Sequence, residues 1–208
     1  MRSLKRTLIL KIDPKHPDGG GISLGAKILK EGGLVAFPTE TVYGLAANLL
    51  NDKAIARLYK VKRRPRSKPF TVHIRDVAEI RKMGCAISGK TKDIVNKFWP
   101  GPLTIILKSK SGKNIGFRMP DNEIALELIK KAGVPIVAPS ANISGRRPPT
   151  SANEVLEQLN NKIDMVIDGG CAKVGVESTV LDLTGAEPRI LREGAIKKRT
   201  IVKVMADE

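Results

Sequence analysis

Apolar and polar residues alternate along this chain with two different periods. Short apolar or alternating runs predict β-strands, whereas apolar residues three or four positions apart predict amphipathic helices. The strands predicted in this way cover residues 7–12, 34–37, 70–74, 103–107, 115–119, 135–138, 165–167, 179–183 and 190–192. The predicted helices have their apolar positions within residues 24–29, 53–61, 77–83, 91–99, 124–132 and 155–159. The first should end at Gly32-Gly33 and the fifth at Gly133, and Ser151 should cap the start of the last. A turn at 18–21 is predicted before the first of these helices.

The order of these elements predicts one α/β domain. Strands and helices interleave over the whole length, and no linker, repeat or low-complexity segment divides the chain. Several strands follow one another without an intervening helix, which favours a mixed sheet over a purely parallel one. In such folds functional residues lie in loops at the strand ends, so we expect the candidate residues there.

Composition narrows the class of protein. The 208 residues include 37 Lys and Arg against 21 Asp and Glu, a formal net charge of +16, while aromatic residues make up only 3%. Positive charge with few stacking platforms favours contact with phosphates over the reading of bases. Two cysteines and two histidines in unrelated contexts are too few for a structural zinc site. The N-terminal run lacks the apolar core of a signal peptide, which predicts a cytoplasmic protein.

Residues 84–91 match the phosphate-binding P-loop pattern letter for letter. A P-loop follows a buried strand, but Val77, Ile80 and Met83 recur before this segment at helical spacing. The alternative is a helix that ends at Gly84 and is followed by a turn. We favour the helix and do not expect this segment to bind a nucleotide.

Residues 60–69 contain six cations and two prolines, which suggests a shaped loop that presents positive charge. Lys62 and Arg64 alternate, so in an extended segment both side chains would point to the same side. A triphosphate suits such a pair, because Arg binds phosphate bidentately and Lys acts as a point charge. The alternative is a solvated run of charge on the surface.

Three further loops carry polar residues directly at strand ends. Thr39 follows the strand 34–37, Arg118 lies at the end of the strand 115–119, and Ser140 and Asn142 follow the strand 135–138. Short hydroxyls and an amide suit ribose or phosphate oxygens, and an Arg can bind a carboxylate. The alternatives are a helix N-cap at Thr39 or Thr41 and an ordinary turn at Ser140.

Taken together, these segments resemble one family. Lys62-x-Arg64 followed downstream by Ser140-x-Asn142 is similar to the signature of the YrdC-like threonylcarbamoyl-AMP synthases. Further family motifs recur in the same order at residues 37–45 (FPTETVYGL), 99–104 (WPGPLT), 118–120 (RMP), 138–142 (APSAN) and 175–179 (GVEST). The resemblance extends over about residues 13–194.

The resemblance implies a fold and a reaction. The fold would be a single-domain α/β structure over residues 1–208, with a twisted open mixed sheet and a concave, positively charged face. It would be the form without the C-terminal domain of longer members. The activity would be that of a nucleotidyltransferase that joins L-threonine, bicarbonate and ATP into threonylcarbamoyl-AMP and pyrophosphate. Mg²⁺ would arrive with ATP, and a separate transferase would pass the group to adenosine next to the tRNA anticodon.

The resemblance also implies roles for individual residues. The ATP site would comprise Lys62 and Arg64, which would also be catalytic, with Arg66, Ser140, Asn142 and Arg192. The threonine site would comprise Thr39, His73, Arg118, the backbone of Ala138, and Ser178. No protein ligands to a metal are implied. One departure concerns a hydroxyl residue expected before the Arg-Met-Pro motif, where this chain has Asn114 or Ile115.

A different class of function uses the same positive charge. A non-catalytic protein could bind tRNA or double-stranded RNA on a basic concave face, and a weak RNA contact is also compatible with the enzyme. Sequence-independent RNA binding depends on contacts between cations and phosphates. It does not require Ser140, Asn142 and Arg118 at these exact positions. We therefore favour the enzyme.

Overall fold

Strands and helices alternate along the part of the chain that the computed structural model describes, which is residues 6–17, 19–87 and 89–206 without the side chains of residues 90 and 206. The strands are β1 (Leu8–Lys11), β2 (Val35–Phe37), β3 (Gly44–Asn48), β4 (Val72–His73), β5 (Leu103–Lys108), β6 (Asn114–Arg118), β7 (Ile136–Val137), β8 (Met165–Asp168), β9 (Thr179–Asp182) and β10 (Arg189–Arg192). The helices are α1 (Gly19–Lys30), α2 (Asp52–Lys62), α3 (Ala78–Lys82), α4 (Lys90–Phe98), α5 (Glu123–Ala132), α6 (Ala152–Leu159) and α7 (Lys198–Ala206).

The strands form one sheet in the order β1-β8-β2-β3-β7-β4-β6-β5-β9-β10. Strand β8 pairs in parallel with β1 and β2, and the pairs β4–β6 and β5–β9 are also parallel. The remaining neighbours are antiparallel. The sheet is therefore mixed and open, which confirms the predicted fold class.

Alternation along the strands divides the apolar residues between two cores. In β2, Val35 and Phe37 belong to one core and Ala36 to the other, because successive side chains point to opposite faces of the sheet. All three residues are fully buried. Both faces of the middle of the sheet are therefore covered.

Helices α1 and α5 pack against each other and cover one half of one face of the sheet. Gly25 permits this approach, since a Cβ built on it would lie 3.1 Å from Ile167 and 3.3 Å from Leu128. On β4, His73 lies opposite Ile136 and so belongs to the same face. Beyond His73, this face opens into a cavity over the other half of the sheet.

Two helix ends lie where the sequence places them. Helix α5 stops at Gly133, whose φ of +61° is the left-handed conformation that favours glycine. Helix α6 begins after Ser151, whose Oγ accepts a hydrogen bond from the backbone N–H of Glu154 at 3.3 Å. Both predicted caps are confirmed.

Three parts of the predicted pattern are wrong. Strand β3 was not predicted, because Gly44–Asn48 is buried at every position and shows no alternation. Residues 19–21 form the first turn of α1 instead of a turn before it, and Asp18 lies outside the described residues. Helix α7 was not predicted either, and its Ile201 is fully buried.

The P-loop interpretation of residues 84–91 is excluded by what precedes it. The segment that enters Gly84 is helix α3, not a strand, and Gly84 has a φ of +74°. Ser88 and the side chain of Lys90 lie outside the described residues.

Within the described part of the chain, no helix is both long enough and apolar enough to cross a membrane.

Candidate functional site

The open half of the sheet forms the floor of a cavity of about 660 Å³. Cross-strand pairing arranges its floor in rows. One row contains His73 on β4 beside Arg118 on β6, which are paired in register. Another contains Gly116, Ile106 and Asp182 on β6, β5 and β9. Loops from other parts of the chain form the walls.

Most of the residues selected from the sequence come together here. Seven of them line the cavity, namely Arg64, His73, Arg118, Ala138, Ser140, Ser178 and Arg192. The other four do not, namely Thr39, Lys62, Arg66 and Asn142. The structure thus separates groups that can face a ligand from groups that support them.

A buried ion pair lies at one end of the cavity. The Nη2 of Arg118 donates to Glu40 Oε1 at 2.8 Å and to Thr41 Oγ1 at 2.6 Å. Arg118 and Glu40 are 6% and 7% exposed, so both charges are largely removed from water. The Nε of Arg118 and the Oε2 of Glu40 have no hydrogen-bond partner.

His73 adds an uncharged polar group beside this pair. Burial, together with the positive charge of Arg118, lowers the pKa of His73 to about 3. The imidazole is therefore neutral at pH 7, and its Nδ1 has no hydrogen-bond partner. The end of the cavity at Arg118 and His73 can consequently accept a ligand with both donor and acceptor groups.

Arg192 fixes the neighbouring wall. Its Nε and Nη2 donate to the backbone oxygen of Ser178 at 3.1 and 2.9 Å, and its Nη1 lies 2.9 Å from Glu177 Oε1. The hydroxyl of Ser178 lies 2.9 Å from that of Thr104 on β5. The loop of Glu177 and Ser178 is therefore held between β5 and β10.

Arg64 forms the opposite wall. Its Nε and Nη2 donate to the backbone oxygens of Lys68 and Pro69 at 2.9 and 3.0 Å, and its guanidinium lies 5.4 Å from the centre of the Phe70 ring. Burial is the main cause that lowers the pKa of Arg64, and the like charge of Arg192 contributes. Two cations therefore face the same space, and an anion bound between them would reduce their mutual repulsion.

Lys62 lies behind the cavity wall. It ends α2, is 1% exposed, and donates to Ser140 O, to Asn142 O at 2.7 Å and to Asn142 Oδ1 at 3.3 Å. Burial is the main cause that lowers the pKa of Lys62 to about 7, and the charge of Arg64 contributes. The three oxygen acceptors match the three donors of a charged ammonium group. The predicted alternation of Lys62 and Arg64 is wrong, because Lys62 is helical and Arg63 is left-handed.

The remaining predicted residues also support the walls. Asn142 accepts from Ser140 Oγ at 2.7 Å and donates to Arg146 O at 2.6 Å. Thr39 is buried and donates to Val42 O at 2.6 Å. The exposed Arg66 lies with its guanidinium 5.4 Å from the centre of the Tyr59 ring.

Sequence reasoning missed the acidic partners. Glu40 and Glu177 each pair with an Arg that was predicted, and both stand inside motifs that were recognised. The predicted sites consist of cations and hydroxyls, and a single carboxylate in a loop gives no signal of its own. Where the family pattern has a hydroxyl residue before the Arg-Met-Pro motif, this chain has Asn114 or Ile115, and Asn114 is the one that lines the cavity.

The carboxylates of the cavity offer little to a metal ion by themselves. Within the described residues, no three His, Cys, Asp or Glu side chains lie close enough to hold one. Glu177 and Asp182 are the two carboxylates among the described lining residues. One or two carboxylates suit Mg²⁺ only when phosphates supply further oxygens.

Comparisons with known proteins identify relatives of this chain. Residues 27–194 match the family model of Sua5, YciO and YrdC, described as "Telomere recombination". The threonylcarbamoyl-AMP synthases of Pyrococcus abyssi and Bacillus subtilis are 43% and 40% identical over 89% and 97% of this chain. The crystal structure of P. abyssi Sua5 complexed with L-threonine has a TM-score of 0.92 and 40% identity, and covers 97% of this chain.

The relatives named above are longer than this chain. The chain spans 57% of the P. abyssi synthase, 61% of the B. subtilis synthase and 62% of the crystallised P. abyssi chain. The similarity therefore concerns only part of each of those proteins.

Replacing His73 by Gln should reduce the acid sensitivity of folding. Since folding lowers the pKa of His73 from 6.5 to about 3, the unfolded chain binds a proton between these values that the folded chain does not. Stability therefore falls as pH falls below 6.5. Between pH 7.5 and 5.0, the free energy of unfolding should fall by about 2 kcal/mol more in wild type than in His73→Gln. The control is His16→Gln, an exposed histidine, and equal losses in wild type and His73→Gln would contradict the prediction.

Replacing Lys62 by Met should destabilise the fold although the side-chain volume is kept. The oxygens of Ser140 and Asn142 would lose their donor, which costs about 1–3 kcal/mol. The adjacent Arg63→Met is the matched control, because Arg63 is exposed and should change stability by less than about 0.5 kcal/mol. Urea unfolding measures both, and similar values for the two variants would disprove the role of Lys62.

Proposed function

The chain belongs to the Sua5–YciO–YrdC family, and we propose that it is a threonylcarbamoyl-AMP synthase. It would join L-threonine, bicarbonate and ATP into threonylcarbamoyl-AMP and pyrophosphate. The product would supply a separate transferase that modifies adenosine next to the tRNA anticodon. Support comes from the relatives that carry this name and from the chemistry of the cavity.

One observation carries the proposal. Within the described residues, four buried side-chain polar atoms have no partner, and three of them belong to Glu40, His73 and Arg118. Buried polar groups are nearly always hydrogen-bonded, so such a cluster indicates a ligand site. An amino acid offers a carboxylate for Arg118 and an amine or hydroxyl for His73. P. abyssi Sua5, crystallised with L-threonine, is consistent with that class of ligand.

The other end of the cavity suits a triphosphate. Arg64 and Arg192 face the same space, and Ser140 adds a hydroxyl. Guanidinium groups bind phosphate oxygens bidentately. We assign these three residues to direct phosphate contact, and Lys62 and Asn142 to holding the Ser140 loop in place. Arg66 and Thr39 would then act indirectly.

The proposed reaction needs positioning more than covalent chemistry. The threonine amine and bicarbonate form a carbamate with loss of water, and the carbamate oxygen attacks the α-phosphorus while pyrophosphate leaves. Negative charge grows on the phosphoryl oxygens and on pyrophosphate, where fixed guanidinium groups stabilise it. Mg²⁺ bound to ATP would neutralise phosphate charge, and Glu177 and Asp182 are compatible with approach of such a complex.

Product analysis tests the proposal. Pyrophosphate should form from ATP only when L-threonine and bicarbonate are both present, in a buffer otherwise depleted of CO₂. Omission of either one should abolish release, because the carbamate is the nucleophile. Equal release without threonine, or ADP in place of pyrophosphate, would refute the synthase. Absence of turnover together with saturable RNA binding would favour the rival function.

Substitution of two arginines should separate the two ends of the cavity. Arg118→Lys keeps the charge beside Glu40 but loses the planar guanidinium, so the KM for threonine should rise about 10- to 100-fold. Arg64→Lys should instead raise the KM for ATP and lower kcat, because phosphate charge grows in the transition state. Arg63→Lys is the control and should match wild type. If all three variants behave alike, the cations act as a diffuse charge and these assignments are wrong.

A further inference from the structure

The guanidinium of Arg192 is already bonded to its own wall of the cavity. Its Nε and Nη2 donate to the backbone oxygen of Ser178, and Nη2 also lies 3.3 Å from the Ser178 hydroxyl. Its Nη1 lies 2.9 Å from Glu177 Oε1. Each nitrogen of this guanidinium therefore has an acceptor within the protein. A phosphate that binds Arg192 through two donors has to displace one of these acceptors.

Arg64 on the opposite wall differs in one nitrogen. Its Nε and Nη2 donate to the backbone oxygens of Lys68 and Pro69. In the described part of the chain, no acceptor is bonded to its Nη1. The Nη1 of Arg64 is therefore open to a ligand, whereas the Nη1 of Arg192 holds a carboxylate.

Of the acceptors on Arg192, the Glu177 carboxylate is the one that can leave. The backbone oxygen of Glu177 accepts from Ala195 N–H at 3.0 Å, and a Cβ built on Gly194 would lie only 2.2 Å from that oxygen. Ser178 is buried, whereas the side chain of Glu177 is 32% exposed. A partly exposed ion pair contributes little stability. Rotation of the Glu177 side chain therefore frees Arg192 without movement of the backbone.

The carboxylate of Glu177 acts on more than one cation. It lines the cavity together with Arg64 and Arg192. Burial is the main cause that lowers the pKa of Arg64 and of Lys62, and the negative charge of Glu177 opposes this lowering in both. An anion of the protein therefore offsets the positive charge at this end of the cavity, as a bound phosphate would.

We propose that Glu177 occupies Arg192 as an internal anion until the phosphates of a polyphosphate ligand displace it. The inference rests on the proposed function, which places a triphosphate between Arg64 and Arg192. A single phosphate on Arg192 only replaces one anion by another, so it gains little. A polyphosphate also contacts the open Nη1 of Arg64, and this second contact stabilises the complex in which Glu177 has turned away.

Calorimetry with inorganic tripolyphosphate, with EDTA in place of Mg²⁺, tests this competition. Glu177→Gln keeps the size of the side chain but removes its charge. Tripolyphosphate should therefore bind about fivefold more tightly than to wild type, which corresponds to the loss of a partly exposed ion pair from the ligand-free state.

The matched control is Asp182→Asn, which removes a carboxylate from the same cavity. The Oδ1 of Asp182 accepts from the backbone N–H and the hydroxyl of Thr184 at 3.0 and 2.7 Å, and within the described residues Asp182 forms no ion pair. Because Asp182 occupies no cation, its loss removes only repulsion that salt screens. The affinity for tripolyphosphate should change by less than about twofold.

A double-mutant cycle locates the effect on Arg192. In an Arg192→Gln background, Glu177→Gln should have no more effect than Asp182→Asn, because the contested cation is absent. Urea unfolding gives a second measurement. Without ligand, Glu177→Gln should unfold at a lower urea concentration than wild type, since the repulsion between the cations is no longer offset. Saturating tripolyphosphate should remove this difference, because Glu177 is displaced in the wild-type complex.

Three results would overturn the inference. Equal or weaker binding of tripolyphosphate by Glu177→Gln would show that Glu177 supports the site instead of competing for it. An equal gain in Asp182→Asn, or an undiminished gain in the Arg192→Gln background, would attribute the effect to overall charge. If neither wild type nor Glu177→Gln binds tripolyphosphate, the assignment of phosphates to this end of the cavity is itself wrong, and the inference fails with it.

Discussion

The buried ion pair between Arg118 and Glu40 connects the sheet to the loops around the cavity. Taking two charges out of water is costly, and removal of either partner would leave the other charge buried without compensation. Glu40 also anchors its surroundings through the backbone, since its oxygen accepts from Val174 N–H at 2.8 Å. The oxygen of Thr41 accepts from Gly175 N–H at 2.9 Å. Arg118 on β6 thus holds the segment of Glu40 and Thr41, and the backbone of that segment holds the loop before Glu177.

A second buried charge organises the opposite side. The ammonium of Lys62 joins the end of α2 to the loop at Ser140 and Asn142, while Arg64, two residues later, faces the cavity. The like charges of Arg64 and Arg192 face each other across the cavity, which lowers the stability of the ligand-free protein. An anionic ligand removes this repulsion and stabilises the fold as it binds. The net charge of +16 is thus partly concentrated where a ligand can offset it.

Much of the fold follows from the sequence, and the exceptions have physical causes. The end of α5 at Gly133 and the start of α6 at Ser151 are set by local chemistry, which a sequence shows directly. Strand β3 was missed because a strand buried on both faces has no alternating pattern. Of the seven selected residues that line the cavity, Arg64, Arg118 and Ser140 were selected from their charge and their positions in loops, and the other four only through resemblance to a family. Burial of Lys62 could not be foreseen, because it depends on contact with a loop 78 residues away.

The same alternation that builds the core also builds the site. On β6, Phe117 is fully buried in the core, whereas its neighbours Gly116 and Arg118 line the cavity. On β5, Ile105 belongs to the core, whereas Thr104 and Ile106 line the cavity. Folding therefore constrains one face of these strands and ligand chemistry the other. Gly116 and Phe117 are neighbours in one strand, yet the first borders the cavity and the second packs in the core.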